Sequence, residues 1–181
     1  MEYFLELFFG GLTRGSIYAL IALGYTMVYG IIELINFAHG EIYMIGAFTA
    51  LIVASALTLL GLNGWSLLIL AGIVAMIYSA AYGFTLEKIA YKPLRKAPRL
   101  SPLISAIGMS IFLQNYVLLA QTSDFLSFPA LIEEFPFMED VTFMRSSELV
   151  IFATTIVATT LLTLFIRFTR MGRAMRAVAQ D

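Results

Sequence analysis

The run IYMIGAFTALIVASALTLLGLNGWSLLILAGIVAMIYSAAYGFTL, residues 42–86, contains no Asp, Glu, Lys or Arg. A helix crossing the roughly 30 Å hydrocarbon layer needs about 20 mostly apolar residues, at about 1.5 Å per residue. The run is therefore long enough for two crossings. It breaks at Gly61, Leu62, Asn63 and Gly64, residues that suit a tight turn, and Trp65 follows where an aromatic ring would sit at a membrane interface. Lipid offers backbone groups no partner, so a span is a helix or part of a closed barrel; runs this long without alternation argue for helices.

Outward from this run, residues 15–32, 100–123 and 149–166 are also free of charge. The expected fold is an all-α, polytopic membrane helical bundle. It forms a single transmembrane domain with about five transmembrane helices, at about 14–34, 41–60, 65–87, 100–121 and 147–168. Composition agrees, since 60% hydrophobic and 13% charged residues with a mean hydropathy of +0.89 do not describe a water-facing surface. The chain has no cysteine, which removes disulfides, thiolate metal sites and cysteine nucleophiles. A net charge of -1 gives no reason to expect a nucleic-acid partner. The first residues carry Glu2 and Glu6 without Lys or Arg and without a small-residue cleavage pattern, so the amino end is expected to be retained rather than cleaved.

The placement of charge orients the spans. Of the eleven Lys and Arg, all but Arg14 and Arg145 fall in two groups: Lys88, Lys92, Arg95, Lys96 and Arg99, and then Arg167, Arg170, Arg173 and Arg176. Two spans separate the groups, so both lie on one face, and basic residues flanking spans stay on the cytoplasmic side. This predicts a cytoplasmic loop at 88–99, an external acidic loop at 122–146 holding Asp124, Glu133, Glu134, Glu139 and Asp140, and a cytoplasmic tail at 169–181. The N-terminus is then outside and the C-terminus cytoplasmic. Small residues recur every four positions at Ala71, Ala75, Ser79 and Gly83 and at Gly11, Gly15 and Ala19, a pattern read first as helix packing within the subunit and second as a dimer seam.

The most unusual stretch is residues 33–41, where Glu33, Asn36, His39 and Glu41 sit between two spans with almost no loop. It is either a short cytoplasmic turn with solvated polar groups or a broken helix whose unwound backbone lines a polar path. A lone histidine with Glu33 and Glu41 is a weak ligand set, and no metal is expected. No nucleophile elbow, paired-carboxylate motif, phosphate loop or metalloprotease helix occurs, so no enzyme is read here. Gln114 and Asn115 lie well inside span four, where amides ordinarily bond a neighbouring helix and could instead face substrate. Arg14 can snorkel to the interface or meet an external carboxylate. The closing stretch with Arg170, Gly172, Arg173 and Arg176 binds anionic headgroups or docks on a cytosolic partner; periodicity does not separate the two.

Residues 15–30 running on through Ile35, Asn36, Phe37, Ala38, His39, Gly40 and Glu41 closely resemble the permease subunits of bacterial ABC importers for branched-chain amino acids. So do residues 103–116 and 165–181, in the same order; the external loop is least similar. The resemblance implies a permease that passes leucine, isoleucine or valine across the bacterial inner membrane by alternating access. Its implied partners are a second related permease subunit, cytosolic ATP-binding subunits, a periplasmic amino-acid-binding protein and the lipid bilayer that surrounds the permeases. It implies no cofactor in this chain, ATP and magnesium being bound by the partner subunits. On that footing Asn36, His39, Glu41, Gln114 and Asn115 mark the substrate pathway, and Arg170, Gly172, Arg173, Arg176 and Asp181 the region coupled to the ATPase. Members of the family continue past this point, so the chain is expected to be incomplete at its C-terminus. The alternatives are a related permease for urea, short amides or other amino acids, or a non-transporting scaffold or passive channel subunit.

Overall fold

The computed structural model describes residues 2–32, 35–95, 97–98, 100–122, 124, 126–129, 131–132, 134–136 and 144–178. Of the residues weighed above, Glu33, Lys96, Arg99, Glu133, Glu139, Asp140 and Asp181 lie outside the described residues. No strand occurs among the described residues. The helices are α1 (Glu2–Ile32), α2 (His39–Leu59), α3 (Gly64–Leu86), α4 (Leu100–Ala120), α5 (Ser146–Phe168) and α6 (Arg170–Val178). A π-helical turn, Glu87–Tyr91, and a 3-10 turn, Lys92–Leu94, prolong α3. Five of these helical stretches are long and apolar enough to cross a membrane: Tyr3–Gly30, His39–Leu59, Gly64–Leu94, Leu100–Ala120 and Ser146–Phe168.

The helix α1 begins at Glu2, well before the uncharged run starts. Its 31 residues rise about 46 Å, more than a bilayer core requires, so Arg14 sits within one unbroken helix. Charge limits where a helix can meet lipid; it does not end the helix. Many hydroxyls inside the spans bond the carbonyl four residues earlier, as Thr49 does to Ile45 and Thr155 to Ile151, both at 2.8 Å. Such groups are satisfied within their own helix and need no water.

Two compact units are built from these elements. In one, which runs through Leu131, α2 and α3 form an antiparallel hairpin. Gly61 at φ 83° caps α2: its N–H donates to Thr58 O at 3.0 Å and that of Leu62 to Leu57 O at 3.1 Å, a left-handed cap that only glycine adopts without strain. Pairings then run in opposite senses along the two helices. Ala54 packs with Leu67 and Ala71 in one buried cluster. Farther down, a Cβ on Gly46 would come within 2.5 Å of Ser79 Oγ, and one on Gly83 would touch Ile42. The small-residue stripe of α3 is thus the face that admits α2. A second buried cluster, Ala38, Ile45, Leu86, Leu113 and Val117, joins α4 to this hairpin.

The other unit contains α1, α5 and α6. The first half of α1 and the beginning of α5 line one cavity of about 460 Å³, with Glu6 and Arg14 from α1, Arg145 at the N-cap of α5 and Glu148 in its first turn. At the far end α6, which follows α5, also packs on α1. The two long helices therefore start at the same end and run in the same direction. The start of α5 is clasped by Glu134: its carboxylate accepts from Ser146 Oγ at 2.6 Å and from the Ser146 N–H at 3.2 Å, while Ser146 Oγ accepts from the Phe135 N–H at 2.8 Å. These donors, the Ser146 hydroxyl above all, hold the Glu134 carboxyl below its ordinary pKa. At the other end of α5, Thr169 is extended and caps α6, its Oγ1 accepting from the Gly172 N–H at 3.0 Å. Gly172 is buried, and a Cβ there would overlap the carbonyl of Ile166, so α6 can fold back on the end of α5 only because position 172 has no side chain.

Candidate functional site

Between α1 and α2 the chain is not helical at Ile35 to Ala38, and α2 begins at His39. Asn36 organises this break. Its Oδ1 accepts from the Ala38 N–H at 3.1 Å, the local turn that asparagine favours, and from the Tyr91 hydroxyl at 2.6 Å. Its backbone carbonyl accepts from the His39 N–H at 3.1 Å, which leads into the first turn of α2. Ala38 is fully buried, so the polar turn rests on the apolar cluster of α2, α3 and α4.

Tyr91 reaches Asn36 from the π-helical turn. The wider winding there places Tyr91 and Ala90 differently from a continued α3, and Ala90 O accepts from Ser105 Oγ on α4 at 3.3 Å. Glu41, in the first turn of α2, accepts from Ser110 Oγ on α4 at 3.0 Å. A carboxylate near a helix start is favoured by the helix dipole. Asn36, Glu41, Tyr91, Ser105 and Ser110 thus form one polar joint tying the start of α2, the π turn and α4 together. Of these, the sequence pointed to Asn36 and Glu41; Tyr91 has no sequence signal linking it to a residue 55 positions away.

Along the same faces, one and two turns on from the joint, lies an open cavity of about 470 Å³. Met44 and Phe48 line it from α2, Gln114 and Leu118 from α4, and Leu126 and Phe128 from the segment after α4. Glu41 bonds Ser110, and farther along both helices Met44 and Phe48 share the cavity wall with Gln114 and Leu118, so α2 and α4 run parallel, as two spans separated by one reversed span must. Thr122 and Asp124 add polar groups to the lining. The Asp124 N–H donates to Thr122 Oγ1 at 3.1 Å, which fixes the chain as it leaves α4.

The five residues expected on a substrate path therefore separate. Asn36 bonds Tyr91 and, through its carbonyl, the His39 N–H, Glu41 bonds Ser110, and Gln114 lines the cavity. Asn115 turns away and donates its amide to Ile111 O of its own helix at 2.8 Å. Adjacent residues on a helix point about 100° apart, so the pair could not share one face. Arg170, Arg173 and Arg176 are exposed on α6 around the buried Gly172, and Arg176 donates to Arg167 O at 3.3 Å.

The sequence matches, over residues 7–181, the family described as branched-chain amino acid transport system, permease component. Among curated proteins it is 50% identical to the high-affinity branched-chain amino acid transport system permease protein LivH of Escherichia coli (strain K12), over 99% of this chain and 60% of that protein. It is 49% identical, over the same shares, to LivH of Salmonella typhimurium and to the high-affinity branched-chain amino acid transport system permease protein BraD of Pseudomonas aeruginosa. The chain spans about 60% of the length of these relatives. No solved structure matches it.

Proposed function

Because the chain belongs to the family of permease components of branched-chain amino acid transport systems, we propose that it forms the membrane core of an importer subunit passing leucine, isoleucine or valine across a bacterial inner membrane. The observation that carries this reading is the family match along residues 7–181, which takes in the polar joint, the cavity and, but for the first four residues of the first, the five membrane-length helices among the described residues. The N-terminus is read as external and α6 as cytoplasmic, because the basic residues cluster at 88–99 and 167–176 and positive charge is retained inside.

In this reading ATP is hydrolysed by cytosolic partner subunits, a second related permease completes the pathway, and a periplasmic binding protein delivers the amino acid. Asn36, His39 and Glu41 lie along the path, and Gln114 faces it from α4. The exposed arginines of α6, Arg170, Arg173 and Arg176, with Gly172 allowing the helix to fold back on α5, form the surface that receives the ATPase movement, toward Asp181.

The full-length permease, expressed with its partner subunits in cells lacking their own system, should take up labelled leucine, with isoleucine and valine competing. Competition by urea or short amides and not by isoleucine or valine would overturn the substrate, and uptake without the ATP-binding subunits would overturn the mechanism.

A further inference from the structure

The cavity between α2 and α4 is built like a ligand site. Its volume of about 470 Å³ falls within the roughly 300–1,000 Å³ of small-molecule sites, which combine an apolar lining with a few convergent polar groups. The lining here is mostly apolar, from Met44, Ala47 and Phe48 on α2 to Leu126 and Phe128 after α4. Polar interruptions come from Gln114, Thr122 and Asp124. Asp124 is exposed, and its N–H donates to Thr122 Oγ1, which fixes the backbone from which its carboxylate projects.

One carboxylate and one amide on an apolar wall suit a small zwitterion with an aliphatic tail. A carboxylate accepts from an ammonium group and an amide N–H donates to a carboxylate, while the wall removes the tail from water. Urea and short amides offer neither the charge for Asp124 nor the tail for the wall. We propose that this cavity recognises α-amino acids with branched aliphatic side chains, Asp124 taking the ammonium group and Gln114 the carboxylate. The assignment rests on the transport reading above and adds to it the residues that select the substrate.

Protection from chemical labelling tests it in the full-length permease reconstituted with its partner subunits. The residues here include no cysteine, so Ala47→Cys or Leu126→Cys in a cysteine-free background provides one thiol in the cavity wall. Leucine should slow maleimide labelling at both positions, and isocaproate, which is leucine without its amino group, should not. Asp124→Asn should raise the leucine concentration needed for half protection about tenfold, as loss of a charge-assisted hydrogen bond does.

A preparation that transports leucine while leucine protects neither thiol overturns the cavity assignment alone. Equal protection by isocaproate, unchanged protection in Asp124→Asn, or thiols that the reagent never reaches also overturn it. A preparation that transports urea or amides but not leucine overturns the transport reading itself, and this inference with it.

Discussion

The Tyr91 hydroxyl donates to Asn36 Oδ1 at 2.6 Å, joining the π-helical turn after α3 to the non-helical link before α2. The same oxygen closes the local turn onto Ala38, so one side chain sets both the path of the chain and its tether. Tyr91→Phe keeps the ring and removes only the donor, leaving Asn36 one bond short. It should lower the stability of the full-length permease in detergent by about 1 kcal/mol, read from thermal unfolding. Asn36→Ala should cost more, because the Ala38 N–H also loses its acceptor, and the double variant should cost less than the sum of the two. Additive losses would show that the pair does not interact.

The approach of α2 to α3 should be testable through Gly46. Gly46→Ala places a methyl against Ser79 Oγ and should destabilise by about 1–3 kcal/mol, as overpacking does. Ser79→Ala removes the obstructing oxygen and leaves Ser79 Cβ at an ordinary 3.7 Å, so it should restore most of the loss. No rescue in the double variant would contradict the close crossing.

Gly172→Ala should prise α6 from the end of α5, since the added methyl meets backbone, which cannot step aside as a side chain can. Trypsin should then cut faster after Arg170 and Arg173, and ATPase-driven uptake should fall. Unchanged cleavage would mean that α6 does not fold back at this glycine.

Acid should loosen the start of α5. The Glu134 carboxyl is held below its usual pKa by the Ser146 hydroxyl and N–H, so its stabilising effect is fully present above the ordinary glutamate value of about 4.3 and is lost as pH falls through the lowered one. The protection of the Ser146 amide against hydrogen exchange, taken relative to the exchange rate of an unstructured amide at the same pH, should fall over that acidic window, and Glu134→Gln should remove the pH dependence of that protection. An amide that exchanges with the same profile in both forms would contradict the clasp.

The spans were legible in the sequence because lipid tolerates so few charges that their absence marks a crossing. Helix ends were less so: α1 runs back to Glu2 through Glu6 and Arg14, and α3 is prolonged through Lys88 and Lys92, because a charge forbids lipid contact without forbidding helix. Asn36 and Glu41 stood out since polar groups are rare between tightly joined spans. Tyr91, Ser105 and Ser110 did not, because a tyrosine near an interface and serines in a span are ordinary, and only folding brings them to the break. Gln114 and Asn115 could not be separated without knowing which face of α4 meets α2. The close packing of α3's small residues on α2 followed from their spacing, whereas a Cβ at Gly11 or Gly15 would meet nothing within 4 Å.

The central claim joins the common starting end of α1 and α5 to the proposed orientation, which puts that end outside and α6 inside. In a cysteine-free full-length permease, Glu6→Cys, Ser147→Cys and Ala174→Cys can be labelled in intact spheroplasts with a reagent that does not cross membranes. Labelling at 6 and 147, with 174 reacting only after the membrane is opened, is the result expected. Labelling of 6 and 147 from opposite faces would contradict the parallel pair, and labelling of 174 alone in intact spheroplasts would invert the whole arrangement.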